Sequence, residues 1–360
     1  MIRARYERRG PVAQDVINPA EFEPPRLNAG HALVEVVAAP INPADVLTLT
    51  GEYGQLPPLP AIGGREGVGR VAELGEDTRD LTVGQLVLLP PGCGTWSTHV
   101  VAQAAQLTPL PSEADPLQLS MMTINPPTAA LLLSEFVTLG PGDWVIQNAA
   151  NSAVGLYLVQ LARHRGHRTI NVVRRQDAAT AVREAGGDVV LVDGEDLAQR
   201  VTEVTGGAQI RLGIDAVAGT ATGRLAGCLG EGATLVSYGR MSGEASVMPP
   251  EAFIFRDLTL RGFWLVRWFR DTPEQQRRAL VIEVASLIIA GRLHAPIHAT
   301  YDVTDIKQAV AAAASGGRSG KILIVPRRWP HNCARVAGTT QPRRTARGPA
   351  DICTPGLRLG

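Results

Sequence analysis

A turn of small and polar residues has the composition of a phosphate-binding loop: Gln147-Asn148-Ala149-Ala150-Asn151-Ser152-Ala153-Val154-Gly155. It follows an apolar run at 144–146, and apolar side chains recur at helical spacing over 156–165 before a second apolar run at 169–173. A strand–turn–helix–strand unit of about 30 residues has the size of a dinucleotide-binding βαβ unit. Small residues let the backbone approach a pyrophosphate, and the helix N-terminus offers it free N–H groups. We therefore expect Asn151, Ser152, Ala153 and Val154 to bind a dinucleotide.

Two arginines, Arg174 and Arg175, follow the second predicted strand. At this position, roughly 20 residues beyond the turn, a dinucleotide site contacts the adenosine ribose through an acid for NAD or an arginine for NADP. The sequence therefore predicts NADPH as the cofactor. An ordinary βα loop capped by Asn151 or Ser152 is the alternative, because only Gly155 stands where the usual fingerprint has three glycines.

The chain length of 360 residues suits two domains, and a hydrophobic content of 45% is enough for substantial cores. No apolar run reaches the ~20 residues of a membrane span, and the charged start lacks the apolar segment of a secretory signal. We expect a protein without a membrane partner, located in the cytoplasm, or in the mitochondrion if the source is eukaryotic.

The cysteines, histidines and charges exclude several classes of protein. Cys93, Cys228, Cys333 and Cys353 form no C-x-x-C pair, and the histidines have no convincing metal spacing, so we expect neither a metal site nor a disulfide framework. The last 34 residues hold seven arginines and one acid, a balance of +6, which leaves −5 for residues 1–326. A mildly acidic body does not suggest nucleic-acid binding.

The chain divides into four predicted segments. Residues 1–117 contain short strand-like runs at 31–39, 68–74 and 85–89, followed by a proline-broken loop at 107–112; they predict a barrel-like, mainly antiparallel β domain. Residues 118–268 alternate strands (189–192, 212–215, 233–236) with helices, which predicts a doubly wound parallel sheet. Residues 269–326 are expected to return to the first domain. The Arg-rich segment 327–360 predicts a disordered tail.

The returning segment contains two predicted helices and a strand. A helix is expected over 273–290, with Thr272 as its cap, Pro273 in its first position and Gln275 completing a capping box. A second helix over 305–314 is expected to be capped by Thr304, and a final strand is predicted over 321–325.

Several segments together resemble the zinc-free medium-chain dehydrogenase/reductase superfamily, and within it the trans-2-enoyl thioester reductases of mitochondrial fatty-acid synthesis. The resemblance extends over about residues 1–326. The matching segments are 39–45 (Ala-Pro-Ile-Asn-Pro-Ala-Asp), 51–54 (Gly-Glu-Tyr-Gly), 63–68 (Gly-Gly-Arg-Glu-Gly-Val), 94–96, 124–129 (Ile-Asn-Pro-Pro-Thr-Ala), 147–155, 171–174, 237–241 (Ser-Tyr-Gly-Arg-Met) and 260–265 (Leu-Arg-Gly-Phe-Trp-Leu). Arg65 is a departure, since a small or polar residue is usual before Glu66. The resemblance implies a GroES-like catalytic domain, a Rossmann-type domain and a homodimer.

The resemblance also implies roles for individual residues. Tyr53 would protonate the substrate, an enoyl-CoA or enoyl-acyl-carrier-protein thioester, after hydride transfer to Cβ. The implied cofactor and pocket residues are Asn125, Thr128, Tyr238, Met241, Phe263, Trp264, Leu265 and Lys321, with Lys321 near the phosphate end of the cofactor.

The residues alone leave other interpretations open. Tyr53 and Trp264 could be packing aromatics, Asn125 a turn former and Lys321 a solvated strand-start lysine. An NADPH:quinone oxidoreductase on the same fold, or an NADPH-binding protein without turnover, are the alternative functions.

Overall fold

The computed structural model describes residues 1–327. Its strands are β1 (Ile2–Tyr6), β2 (Ile17–Glu21), β3 (His31–Pro40), β4 (Ala61–Ile62), β5 (Val68–Leu74), β6 (Leu86–Leu88), β7 (His99–Gln103), β8 (Thr108–Pro109), β9 (Trp144–Gln147), β10 (Arg168–Val173), β11 (Val189–Val192), β12 (Leu212–Asp215), β13 (Thr234–Ser237), β14 (Thr259–Gly262), β15 (Ile297–Tyr301) and β16 (Lys321–Ile324). Its α-helices are α1 (Ala13–Val16), α2 (Pro43–Thr50), α3 (Pro116–Leu119), α4 (Asn125–Leu132), α5 (Ala153–His164), α6 (Ala179–Glu184), α7 (Leu197–Thr205), α8 (Thr220–Gly227), α9 (Pro250–Ile254), α10 (Leu265–Asp271), α11 (Glu274–Ile289) and α12 (Ile306–Ala314). The predicted tail lies outside the described residues, apart from Arg327.

The middle of the chain forms a parallel six-stranded sheet in the order β11-β10-β9-β12-β13-β14. Its strands are short, and the central ones are mainly apolar; β9, for example, is buried along its whole length. Such runs are expected where helices cover both faces of a parallel sheet. The strand order reverses between β9 and β12, and ligands of such folds bind at that reversal, outside the carboxyl ends of the strands.

The two ends of the described chain share a second, mainly antiparallel sheet. Its order is β15-β16-β3-β5-β6-β8, with β7 also paired to β3, while β1, β2 and β4 form a smaller sheet. β16 pairs antiparallel with β3 at Leu323–Pro40 and parallel with β15. The chain therefore returns to the first domain after completing the parallel sheet.

Trp96 anchors the core of this first domain. Its side chain is fully buried, and its Nε1 donates to Pro40 O at 3.1 Å. Gly63 lies flat against the indole, where an added Cβ would come within 2.2 Å of Trp96 Cε3. Only glycine fits at this contact, which accounts for the Gly63-Gly64 pair of the sequence.

Three local predictions were wrong. The loop predicted over 107–112 contains β8, because Val87 and Leu88 pair with Pro109 and Thr108. α11 begins at Glu274 with Pro273 before it, so Gln275 is the second helical residue and no capping box forms. Asp302 accepts hydrogen bonds from the backbone N–H and the hydroxyl of Thr304 (2.9 and 2.7 Å), and the helical segment begins there as a 3₁₀ turn.

Candidate active site

The turn after β9 lies at the reversal of the parallel sheet and is held there by a buried amide. Asn148 Nδ2 donates to Asp215 Oδ1 at 2.6 Å, and Asn148 Oδ1 accepts from Ala216 N at 2.8 Å. Asp215, at the end of β12, also accepts from Val217 N, Ala218 N and the Thr222 hydroxyl. The two turns that face the reversal are thereby tied together. This role of Asp215 was not predicted from the sequence, although an acid at the carboxyl end of a buried strand was the available signal.

The N-terminus of α5 has the geometry of an anion site. Ser152 caps the helix by accepting from Gly155 N at 3.2 Å, with Asn151 immediately before it in the turn. Helix geometry leaves the N–H groups of Ala153 and Val154 without intrahelical acceptors. A Cβ at Gly155 would meet Ala150 O at 2.5 Å, so this glycine is required for the turn to fold back on the helix.

The two arginines lie exposed beyond the end of β10. Arg175 Nε is 3.1 Å from Asp177 Oδ1, and both side chains are largely solvent-exposed. The loop that precedes β16 runs alongside them, since a Cβ on Gly316 would lie 3.6 Å from Arg174 Nη2. A cationic surface therefore stands where a dinucleotide would present its ribose phosphate.

Tyr53 and Trp264 meet from opposite domains. Trp264 Nε1 donates to the Tyr53 hydroxyl at 2.9 Å, and the two rings contact edge to face with centroids 6.0 Å apart. Gly54 packs under the indole. An indole N–H only donates, so the phenol oxygen accepts this bond and its own hydrogen is not used in it.

Asn125 belongs to a buried polar network instead of a simple turn. Its Nδ2 donates to Asn42 Oδ1 at 3.0 Å, and Asn42 Nδ2 donates to Glu66 Oε1 at 2.8 Å. Glu66 Oε2 accepts from both the backbone N–H and the hydroxyl of Thr123. Burial raises the pKa of Glu66, and the nearby Lys321 ammonium opposes that rise. With its Nδ2 committed to this chain of bonds, the Asn125 amide has a fixed orientation.

The expectation for Lys321 requires correction. The side chain is 6% exposed, and its Nζ donates to Ile41 O (3.0 Å) and Asn42 Oδ1 (2.5 Å). Its partners therefore lie in the Asn125 network and not beside the arginines. Burial lowers the pKa of Lys321 to about 8, while the neighbouring carboxylates, Glu66 first, favour the charged form.

The remaining predicted residues lie at the carboxyl edge of the parallel sheet or on α4. Burial raises the pKa of the Tyr238 hydroxyl, and its hydrogen bond with Ser152 opposes the rise. Met241 is 62% exposed, and its N–H donates to Ala216 O. Phe263 N–H donates to Ser237 O and so is not free for a cofactor, whereas Leu265 opens α10. The Thr128 hydroxyl, on buried α4, donates to Ile124 O.

The site fits a dinucleotide in three respects: a helix N-terminus with free N–H groups, small residues in the adjoining turn, and exposed arginines beyond the next strand. Within residues 1–327, no group of three or more His, Cys, Asp or Glu side chains is placed so that it could hold a metal ion. In the same part of the chain, no helix combines the length and apolar character needed to cross a membrane.

A parallel sheet with a dinucleotide turn, joined to an antiparallel domain where Tyr53 meets Trp264, is the architecture of a medium-chain dehydrogenase/reductase. Two family models match accordingly: the alcohol dehydrogenase GroES-like domain over residues 28–112 and the zinc-binding dehydrogenase family over residues 153–282. The mitochondrial enoyl-[acyl-carrier-protein] reductase of Bos taurus is 34% identical over 318 residues, which cover 86% of this chain and 84% of the relative. The chain belongs to this family of enoyl reductases.

Solved structures share the fold over nearly the whole chain. The Escherichia coli quinone oxidoreductase complexed with NADPH has a TM-score of 0.78 and 25% identity, covering 91% of this chain and 100% of that one. The Etr1p/NADP/crotonyl-CoA complex has a TM-score of 0.80 and 23% identity, covering 90% of this chain and 99% of that one. The second of these likenesses supports the fold alone.

Proposed function

We propose that the protein reduces trans-2-enoyl thioesters with NADPH, adding hydride at Cβ and a proton at Cα. The observation that carries the proposal is the Tyr53 hydroxyl, which accepts the Trp264 N–H and keeps its own hydrogen available where the two domains meet. The relatives in its family are named enoyl-[acyl-carrier-protein] reductases, and the substrate is an enoyl-CoA or the corresponding carrier-protein thioester.

The residues of the parallel domain hold the cofactor in this proposal. Ser152, Ala153 and Val154 contact the pyrophosphate through the N-terminus of α5, and the guanidinium groups of Arg174 and Arg175 contact the ribose 2′-phosphate. Tyr238, Met241, Phe263 and Leu265 contact the remainder of the cofactor in this proposal. When bound, NADPH supplies the hydride. A solved relative of this fold is a complex with NADP and crotonyl-CoA.

Tyr53 supplies the proton. Hydride addition at Cβ leaves negative charge on the thioester oxygen and Cα, and a phenol beside that carbon stabilises the charge and transfers its hydrogen. The O–H bond of Tyr53 breaks, a C–H bond forms at Cα, and the phenolate takes a proton from water. In this proposal Asn125 and Thr128 orient the nicotinamide or the substrate, and Lys321 acts indirectly by fixing Asn42.

Replacing the phenol by a phenyl ring tests this role. Tyr53→Phe should lower kcat for crotonyl-CoA reduction by about 10²–10⁴-fold, the usual range for a general acid, with the Kd for NADPH unchanged. Tyr301→Phe, which removes a phenol hydroxyl from β15, is the matched control and should keep full activity. Unchanged turnover in Tyr53→Phe would overturn the assignment.

Quinone reduction is the second candidate, because a fold relative that binds NADPH is a quinone oxidoreductase. A quinone can take its proton from water, so Tyr53→Phe should leave quinone reduction intact. Parallel assays with crotonyl-CoA and a benzoquinone separate the two functions. If NADPH is oxidised with neither crotonyl-CoA nor the benzoquinone, the protein binds the cofactor without turnover.

A homodimer is proposed from the free edge of the parallel sheet. Within residues 1–327, β14 has one strand neighbour and is exposed along its length, and nearby Ile254 and Phe255 are 70% and 75% exposed. An edge strand beside large exposed apolar side chains is a template for association. We propose the cytoplasm as the compartment in a bacterial source and the mitochondrion in a eukaryotic one.

A further inference from the structure

Arg65, a departure from the family pattern, stacks on the proposed proton donor. Its guanidinium carbon lies 4.3 Å from the centroid of the Tyr53 ring. At this distance a guanidinium is attracted to the negative face of an aromatic ring. This contact joins two separate loops, so the sequence alone gave no indication of it.

The guanidinium is itself held by α2. Arg65 Nη2 donates to the Thr48 hydroxyl at 3.0 Å, and that hydroxyl donates to Ala44 O at 2.7 Å. Arg65 Nε is 3.6 Å from Asp45 Oδ1, with side-chain exposures of 25% for Arg65 and 3% for Asp45. The arginine therefore has two anchors on one helix.

The same helix fixes the backbone of Tyr53. α2 ends at Gly51, whose φ of 89° turns the chain back so that the N–H groups of Gly51, Glu52 and Tyr53 all donate to Leu47 O. Arg65 then covers the face of the Tyr53 ring, while the Trp264 ring packs against it at 74° and donates its Nε1–H to the hydroxyl. The phenol is restrained from the backbone, from one face and at its oxygen.

We propose that Arg65 is a positioning residue for Tyr53, and that its positive charge stabilises the phenolate left when the Tyr53 proton moves to Cα. The proposal rests on the proton-donor role of Tyr53. If a cation–π contact of this kind is strongest as the phenol loses its proton, it increases the rate of proton transfer by about threefold to thirtyfold. The atoms that react are unchanged: the phenol O–H breaks, the C–H at Cα forms, and water restores the phenol.

The experiment is a double-mutant cycle on the full chain. Arg65→Gln, Arg65→Lys and Thr48→Val are each prepared alone and together with Tyr53→Phe. Crotonyl-CoA reduction gives kcat, KM and the solvent deuterium isotope effect. The control is Arg168→Gln, which removes a guanidinium stacked 3.9 Å from the Trp144 ring at the start of β10.

The proposal expects Arg65→Gln to lower kcat about threefold to thirtyfold, with little change in KM and a larger solvent isotope effect. Arg65→Lys, which keeps the charge, should restore part of the loss. In the Tyr53→Phe background the Arg65 substitutions should have no further effect. Thr48→Val keeps the side-chain shape and should show a smaller loss of the same kind, which provides a test even if Arg65→Gln fails to fold.

Two results would overturn the inference while leaving the proposed function in place. One is an unchanged kcat in Arg65→Gln. The other is an equal loss whether Tyr53 is intact or replaced by phenylalanine, which would mean that Arg65 acts only through the fold. If Tyr53→Phe alone were fully active, the proton-donor role and this inference would both be wrong.

Discussion

Arg174 and Arg175 are expected to make unequal contributions to cofactor selectivity. Arg174 makes no ion pair within residues 1–327, whereas Arg175 already pairs with Asp177 at 3.1 Å. A charge-assisted hydrogen bond to phosphate contributes about 1.5–3 kcal/mol, or roughly 10- to 100-fold in Kd. An exposed ion pair contributes about 0–1 kcal/mol, which Arg175 must give up to bind the phosphate.

Arg174→Ser should therefore weaken NADPH binding by roughly 10- to 100-fold. The loss of affinity in Arg175→Ser should be smaller than the loss in Arg174→Ser by a factor of up to about five. Asp177→Asn is the informative control: by releasing Arg175 it should tighten NADPH binding up to about fivefold. NADH, which lacks the 2′-phosphate, should be unaffected by all three substitutions.

Isothermal titration at one low ionic strength would give Kd for both cofactors, since screening by salt weakens exposed charges. Equal losses of NADH and NADPH affinity in the arginine variants would refute the reasoning. Weaker NADPH binding in Asp177→Asn would refute the competition between phosphate and carboxylate.

Two further predictions concern stability and assembly. Burial raises the pKa of Asp45 to about 6, so between about pH 4 and pH 6 folding takes up a proton at this carboxyl group. The contribution of Asp45 to the free energy of unfolding is therefore lost as the pH rises through that window. In urea unfolding, Asp45→Asn should reduce that loss by on the order of 1–3 kcal/mol, and an unchanged pH dependence would contradict the prediction. Ile254→Glu places a charge on the exposed patch beside β14, so sedimentation should give a folded monomer, and a persisting dimer would exclude this face as the interface.

Five strands of the parallel sheet could be predicted because each of them is a short, mainly apolar run between turns, and the predictions for β9, β11 and β12 were close to the observed bounds. The edge strand β14 (Thr-Leu-Arg-Gly) is exposed and was not predicted. Helix starts were less predictable: a threonine and a proline together favoured a cap at Thr272, but the backbone remains extended through both residues. The spacing of residues in the sequence does not determine at which residue the extended backbone changes to the helix.

The contacts that organise the site join residues far apart in sequence. Tyr53 and Trp264 are 211 positions apart, and Lys321 and Asn42 are 279 apart. Resemblance could suggest that Tyr53 and Trp264 belong to one pocket, but not that one donates to the other. The burial of Lys321 and the stacking of Arg65 depend on the final arrangement of the sheets, so the sequence alone did not reveal them.

The shared antiparallel sheet has a consequence for biosynthesis. β3 emerges from the ribosome early, but its neighbour β16 is made only after the whole parallel domain. Lys321, the first residue of β16, supplies the ammonium that holds Asn42. During translation the first part of the chain therefore lacks the strand that pairs with β3 and the ammonium group that completes the polar network around Asn42. A chain that stops before β16 would lack both, so premature termination should yield an inactive product instead of a partly working reductase.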